Sequence, residues 1–147
     1  MGLLVDTLQN TITTLTQDDL KGCNKIANYI FYGCSSLTSV TLPNTVLSIG
    51  ERSFYNTSAL TDLTINAEVS SIGSLAFYGT SKIKNITFLQ PAGATISLPT
   101  AGSSKGMFYV KTARAVNIYT DNETIKNYAW STDGVTATLY HLDGTAW

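Results

Sequence analysis

The chain is 147 residues long with a formal net charge of −1, which excludes the basic balance that non-specific nucleic-acid binding requires. Only 13% of its residues are charged, against 44% hydrophobic. Ser, Thr and Asn replace the missing charge, giving a surface closer to extracellular or virion proteins than to intracellular ones, which usually stay soluble through charge.

Residues 1–25 form a leading arm or cap. Leu4, Leu8, Ile12 and Leu15 fall at helical spacing, while Thr11–Thr16 is strongly β-prone. A short helix or extended arm therefore leads into a first strand near residues 12–16. Such a segment caps the apolar end of a stack, or serves as a self-association arm through Leu3, Leu4, Val5 and Leu8. The opening Met1–Asp6 has neither the basic residue of an export signal nor the length of a membrane span. Asp6 stands where myristoylation wants Ser or Thr. The expectation is a cytoplasmic chain, one trimmed from a longer secreted protein, or one released by a route such as lysis.

Residues 26–88 carry one unit three times at an interval of 23 residues. Ile26, Ile49 and Ile72 open the units, followed by Phe31, Phe54 and Phe77, each with a tyrosine after it (Tyr32, Tyr55, Tyr78). Cys34, Thr57 and Thr80 follow, then Leu37, Leu60 and Ile83. Val40, Leu63 and Ile86, with Leu42, Ile65 and Phe88, complete the pattern. A unit this short cannot bury its own apolar face and must stack on its copies. The expected fold is a mainly β solenoid with short helical turns and a cap at each end, spanning 1–147 as one domain. Each unit ends in apolar–polar alternation, the period of a strand with one buried face. The Phe segments pack the opposite wall as irregular turns or short helices. Gly50 and Gly73 follow the repeat isoleucines, where a tight corner calls for backbone freedom.

Residues 89–147 hold a degenerate repeat and a C-terminal cap. Gln90–Ala94 and Pro99–Gly106 have loop chemistry, with Thr95–Leu98 a strand between them. Met107-Phe108-Tyr109 is a fourth Phe-Tyr element at a longer interval, and Val116–Tyr119 repeats the strand pattern. Asp121 reads as a helix N-cap with Glu123 in the first turn. That helix would carry Ile125, Tyr128, Ala129 and Trp130, and Thr136–Leu142 would close as a strand.

The units written as Ile30-Phe31-Tyr32-Gly33-Cys34-Ser35-Ser36-Leu37-Thr38-Ser39-Val40-Thr41-Leu42-Pro43 resemble the BspA-type leucine-rich repeat. The resemblance implies a leucine-rich-repeat solenoid in a family of cell-surface proteins, bacteriophage tail or virion proteins and unassigned chains. It implies adhesion to host proteins, other cells or glycans. The C-terminal unit looks like the terminal unit such proteins carry.

Candidate chemistry is sparse. His141 and Asp143 lie two residues apart and could form an acid–base dyad, though no G-x-S-x-G or similar motif joins them. Asp18-Asp19 and Asp121-Asn122-Glu123 lack calcium-loop spacing, and Thr100–Lys105 lacks the glycines of a phosphate cradle. Cys23 and Cys34 could bridge, but Cys34 fills the small-residue position of Thr57 and Thr80, and no further ligand suggests zinc. The sequons at Asn56, Asn85 and Asn122 read as accidental. No enzyme, metal or cofactor is expected.

Two surfaces could bind. On a concave strand face, Ser39 and Thr41, Asp62 and Thr64, and Asn85 and Thr87 should align at about 4.8 Å spacing, suiting a protein or glycan ligand. Its plain reading is that Thr packs well in stacked strands. The column Tyr32, Tyr55, Tyr78 is either a contact surface or half-buried packing beside the Phe residues. The expected function is a surface binding protein for adhesion or host and receptor recognition, with a protein or glycan partner on a host or neighbouring cell. The alternative is a structural bacteriophage component (tail, baseplate or decoration protein) whose faces meet sister subunits.

Overall fold

Val40, Leu63 and Ile86 are apolar between polar neighbours, and that alternation makes each unit end in a strand whose first and third residues turn outward. The computed structural model describes residues 11–102, 104–109 and 114–147. The self-association arm expected at Leu3, Leu4, Val5 and Leu8 lies outside the described residues. In chain order the strands are β1 (Thr14–Leu15), β2 (Lys25–Ile26), β3 (Ser39–Thr41), β4 (Ser48–Ile49), β5 (Asp62–Ile65), β6 (Ser71–Ile72), β7 (Asn85–Phe88), β8 (Arg114–Thr120) and β9 (Val135–Tyr140). They form a six-stranded sheet in the order β1-β3-β5-β7-β8-β9 and a three-stranded sheet β2-β4-β6. Every pairing is parallel. The molecule is a β-solenoid whose regular secondary structure is mainly strand. The segment at Thr95–Leu98 contributes one bridge, Ser71 with Ser97, which extends the small sheet.

The Phe segments close the third wall, without regular secondary structure but with a regular ladder. Phe31 N–H donates to the Ser53 carbonyl at 2.8 Å, Phe54 N–H to Ala76 at 2.8 Å, and Phe77 N–H to Met107 at 2.8 Å. Two left-handed residues per turn hold this path. Tyr29, Arg52 and Leu75 have φ of 62°, 50° and 56°, and Gly33, Asn56 and Gly79 have φ of 75°, 58° and 75°. Gly50 and Gly73 were expected to supply backbone freedom, yet neither has a left-handed φ. Their role is close approach: a Cβ on Gly73 would stand 2.5 Å from the Glu51 nitrogen and 2.7 Å from the Gly50 carbonyl carbon.

Inside, Phe31, Phe54, Phe77 and Phe108 stack with ring centroids 5.2, 5.3 and 4.9 Å apart. Trp130 ends the column, 5.8 Å from Phe108. The corner after each long strand is held by buried amides. Asn66 Nδ2 donates to the Pro43 carbonyl, and Gln90 Nε2 donates to the Asn66 carbonyl at 2.6 Å. Asn122 Nδ2 donates to the carbonyls of Pro91 and Ala94, each at 2.8 Å. Asn122, not Asp121, caps helix α1 (Glu123–Lys126), because its Oδ1 accepts from the amides of Thr124 and Ile125. Asp121 serves His141 instead. Trp130 lies in a 3-10 helix, Trp130–Asp133, rather than continuing α1.

Candidate binding faces of the solenoid

Strand register decides what the outer face of the large sheet presents. Ser39, Asp62 and Asn85 stand opposite one another on β3, β5 and β7, and Thr41, Thr64 and Thr87 form a second row. The first row continues through Asn117 to Thr138, and the second through Tyr119 to Tyr140. Neighbours in a row are about 4.8 Å apart, and the rows about 7 Å apart. Asn117 Nδ2 donates to Asn85 Oδ1 at 3.0 Å, and Asn85 Nδ2 to Asp62 Oδ1 at 2.8 Å. Thr61 Oγ1 donates to the other oxygen of Asp62 at 2.9 Å. The rings of Tyr119 and Tyr140 stack at 5.1 Å and 19°. Exposure is greatest at Ser39, Thr41, Asp62 and Thr64 and falls to half-buried at Asn85 and Thr87.

Asn117, Tyr119, Thr138 and Tyr140 extend the six sheet residues named from sequence. The strand at Val116–Tyr119 was legible from sequence, but the irregular stretch after Phe88 hid that its Asn117 and Tyr119 stand beside Asn85 and Thr87.

The tyrosine column forms a second face, packed in a different way. Tyr32, Tyr55, Tyr78 and Tyr109 stack at 4.7, 4.5 and 5.8 Å. Tyr32 is 40% exposed, whereas Tyr55 and Tyr78 are half-buried. Face-to-face stacking covers the rings with one another. Burial pushes the Tyr55 phenol up, and Tyr78 and Tyr32 add to the shift. At the start of the column Arg52 donates to Tyr29 Oη at 2.8 Å and pairs with Glu51. The hydrogen bond from Arg52 to Tyr29 raises the guanidinium further.

The remaining candidates separate. His141 Nδ1 lies 2.9 Å from Asp121 Oδ1, and its ring stacks on Trp147 at 3.9 Å. Asp143 instead accepts from Thr145, which holds its carboxyl below the usual carboxylate range. The His141–Asp143 dyad is therefore replaced by a hairpin clamp. Cys23 and Cys34 are free, so no bridge forms. Cys34 is buried, and burial pushes its thiol up. Of the sequons, Asn122 is fully buried and committed to its backbone partners. Among the described residues no cluster could hold a metal ion, and no helix is long and apolar enough to cross a membrane. A shallow recess of about 570 Å³ beside β9, lined by Tyr128, Trp130 and Leu139 among others, gathers no acid, histidine or cysteine.

Stacked 23-residue units with this register match the BspA type leucine rich repeat region, in six copies over residues 7–136. The chain belongs to that family, a class of repeat solenoids of the protein-interaction or adhesion type. No curated protein and no solved structure matches the chain.

Proposed function

We propose that this is a non-catalytic surface binding protein, acting in adhesion or in host and receptor recognition through the outer face of the large sheet. The observation that carries the reading is the unbroken register from Ser39 and Thr41 to Thr138 and Tyr140. Stacking fixes these side chains at regular spacing on a rigid wall, so little order has to be gained on binding. The hydroxyls of Thr41, Thr64 and Thr87 make no side-chain hydrogen bond among the described residues, which leaves them for a ligand.

The test is adhesion of protein-coated beads to bacterial and animal cell layers, with soluble protein as competitor. Soluble wild type should compete, and Thr64→Lys should fail to compete while keeping its melting temperature. Equal competition by Thr64→Lys would overturn the reading.

A second reading, a structural subunit of a bacteriophage particle, draws on large hydrophobic side chains left exposed along the stack, Leu47 and Leu89 among them. Tyr29 is 49% exposed near the first turn and Trp147 39% at the last. Light scattering over a concentration series tests it. A stable assembly supports a subunit role, and a monomer at high concentration argues against it.

A further inference from the structure

We infer that the ligand of the large sheet is a neutral carbohydrate chain lying across the strands, with Tyr140 as its platform. The inference rests on the sheet face being the contact surface and adds the chemistry of the partner. Tyr140 sits on the terminal strand of the sheet. One side of its ring is covered by Tyr119 at 5.1 Å. On its other side an antiparallel bridge places Ala146, whose methyl is too small to cover a phenol ring, and Tyr140 stays half-buried. A sugar ring turns a surface of C–H bonds, which packs on such an aromatic face with little conformational cost.

Beside the platform runs the ladder from Asn117 through Asn85 to Asp62, with bonds of 3.0 and 2.8 Å. It orients amide and carboxylate groups before any ligand arrives. Sugar hydroxyls both donate and accept, and a mixed row of carboxylate, amide and hydroxyl groups offers both roles. The strand residues of this face include one carboxylate, Asp62, and no cation. Acidic polymers would find no counter-charge among these strand residues, and a lone carboxylate already bonded to Asn85 and Thr61 offers little hold to a polycation, which leaves a neutral chain. A protein partner fits less well. The buried centre of a protein interface is rich in aromatic residues, Met and Arg, whereas the middle of this face is Thr, Asn and Asp.

Affinity electrophoresis through gels containing a soluble α-glucan, β-glucan, mannan or galactan tests the inference. At least one neutral polymer should retard the protein. Tyr140→Ala and Thr138→Lys should each weaken the retardation about tenfold, and Glu68→Ala on another wall should not. Thr138→Lys guards against a packing loss at Tyr140, because Thr138 is exposed. Retardation by no neutral polymer, or retardation unchanged in both variants, would overturn it. Bead adhesion that survives periodate treatment of the target surface but not protease treatment would also overturn it, pointing to a protein ligand. In that case loss of competition by Thr64→Lys would still uphold the sheet face, so the two readings fail separately.

Discussion

Tyr128 donates its phenol proton to Asp133 Oδ2 at 2.8 Å, joining the segment after α1 to the 3-10 helix within the C-terminal cap. Asp133 is fully buried and also accepts from Gly102 N–H at 2.7 Å and Phe108 N–H at 3.1 Å. One carboxylate therefore holds together the irregular loop, the last Phe-Tyr element and the cap. Gly106 makes room for it, since a Cβ there would stand 1.7 Å from Asp133 Oδ1.

Removing that carboxylate leaves buried donors without partners, each costing about 1–3 kcal/mol. Asp133→Ala should lower stability by on the order of 3 kcal/mol, read from the midpoint of urea unfolding. Tyr128→Phe should cost about 1 kcal/mol.

The same pair sets an alkaline limit. Burial, and then the charge of Asp133, push the Tyr128 phenol far above its ordinary value. The native phenol thus holds its proton more tightly than the unfolded one. Its contribution is complete below the unfolded value of about 10 and is lost as pH rises towards the native value. Stability should fall from about pH 10 upwards, and more steeply in the wild type than in Tyr128→Phe. Identical alkaline profiles would contradict this assignment.

Phe54 lies between Phe31 and Phe77, 5.2 and 5.3 Å from their ring centres. Phe54→Ala removes the middle of the column and should cost about 3–5 kcal/mol, measurable by chemical denaturation. A loss below about 1 kcal/mol would mean that the stacked turns collapse around the gap.

Ser53 offers the opposite case. It is fully buried, its hydroxyl has no hydrogen-bond partner, and Ala76 fills the equivalent position one turn on. Ser53→Ala should raise stability by about 1 kcal/mol, seen as a higher denaturation midpoint.

Gly73 tests how tightly the turns stack. Since a Cβ there meets only backbone of the preceding turn, at 2.5 to 2.8 Å, Gly73→Ala should cost about 1–3 kcal/mol. The same change at Gly93, which has open space around it, should be nearly neutral.

The periodic features were legible because a stack repeats its demands. Ile26, Phe31, Leu37 and Val40 recur wherever a turn must fill the same inner position, and the outward Ser39, Asp62 and Asn85 follow from alternation. What could not be read are features set by contact between turns. Gly73 carries an ordinary φ and is small for the sake of the backbone beneath it, while Arg52 and Leu75 take the left-handed positions that glycine would be expected to fill. Asn66 and Asn122 look like loop polar residues until their carbonyl partners on other turns are seen. The strands carrying Tyr119 and Tyr140 were legible, but not the place of these two in the outer row, because the long connection before β8 breaks the interval that sets the other rows. Asp121 was assigned to the helix start by proximity, whereas the fold gives that role to Asn122 and turns Asp121 to His141.

The most direct measurement compares adhesion of three single-lysine variants, one on each wall: Thr64→Lys on the large sheet, Ser70→Lys beside the small sheet and Ser81→Lys near the Phe wall. All three positions are exposed, so each variant should fold as the wild type does. A binding surface on the large sheet predicts that Thr64→Lys alone loses adhesion, by about tenfold or more. Loss at Ser70 or Ser81 with Thr64→Lys unaffected would place the contact on another wall and contradict it.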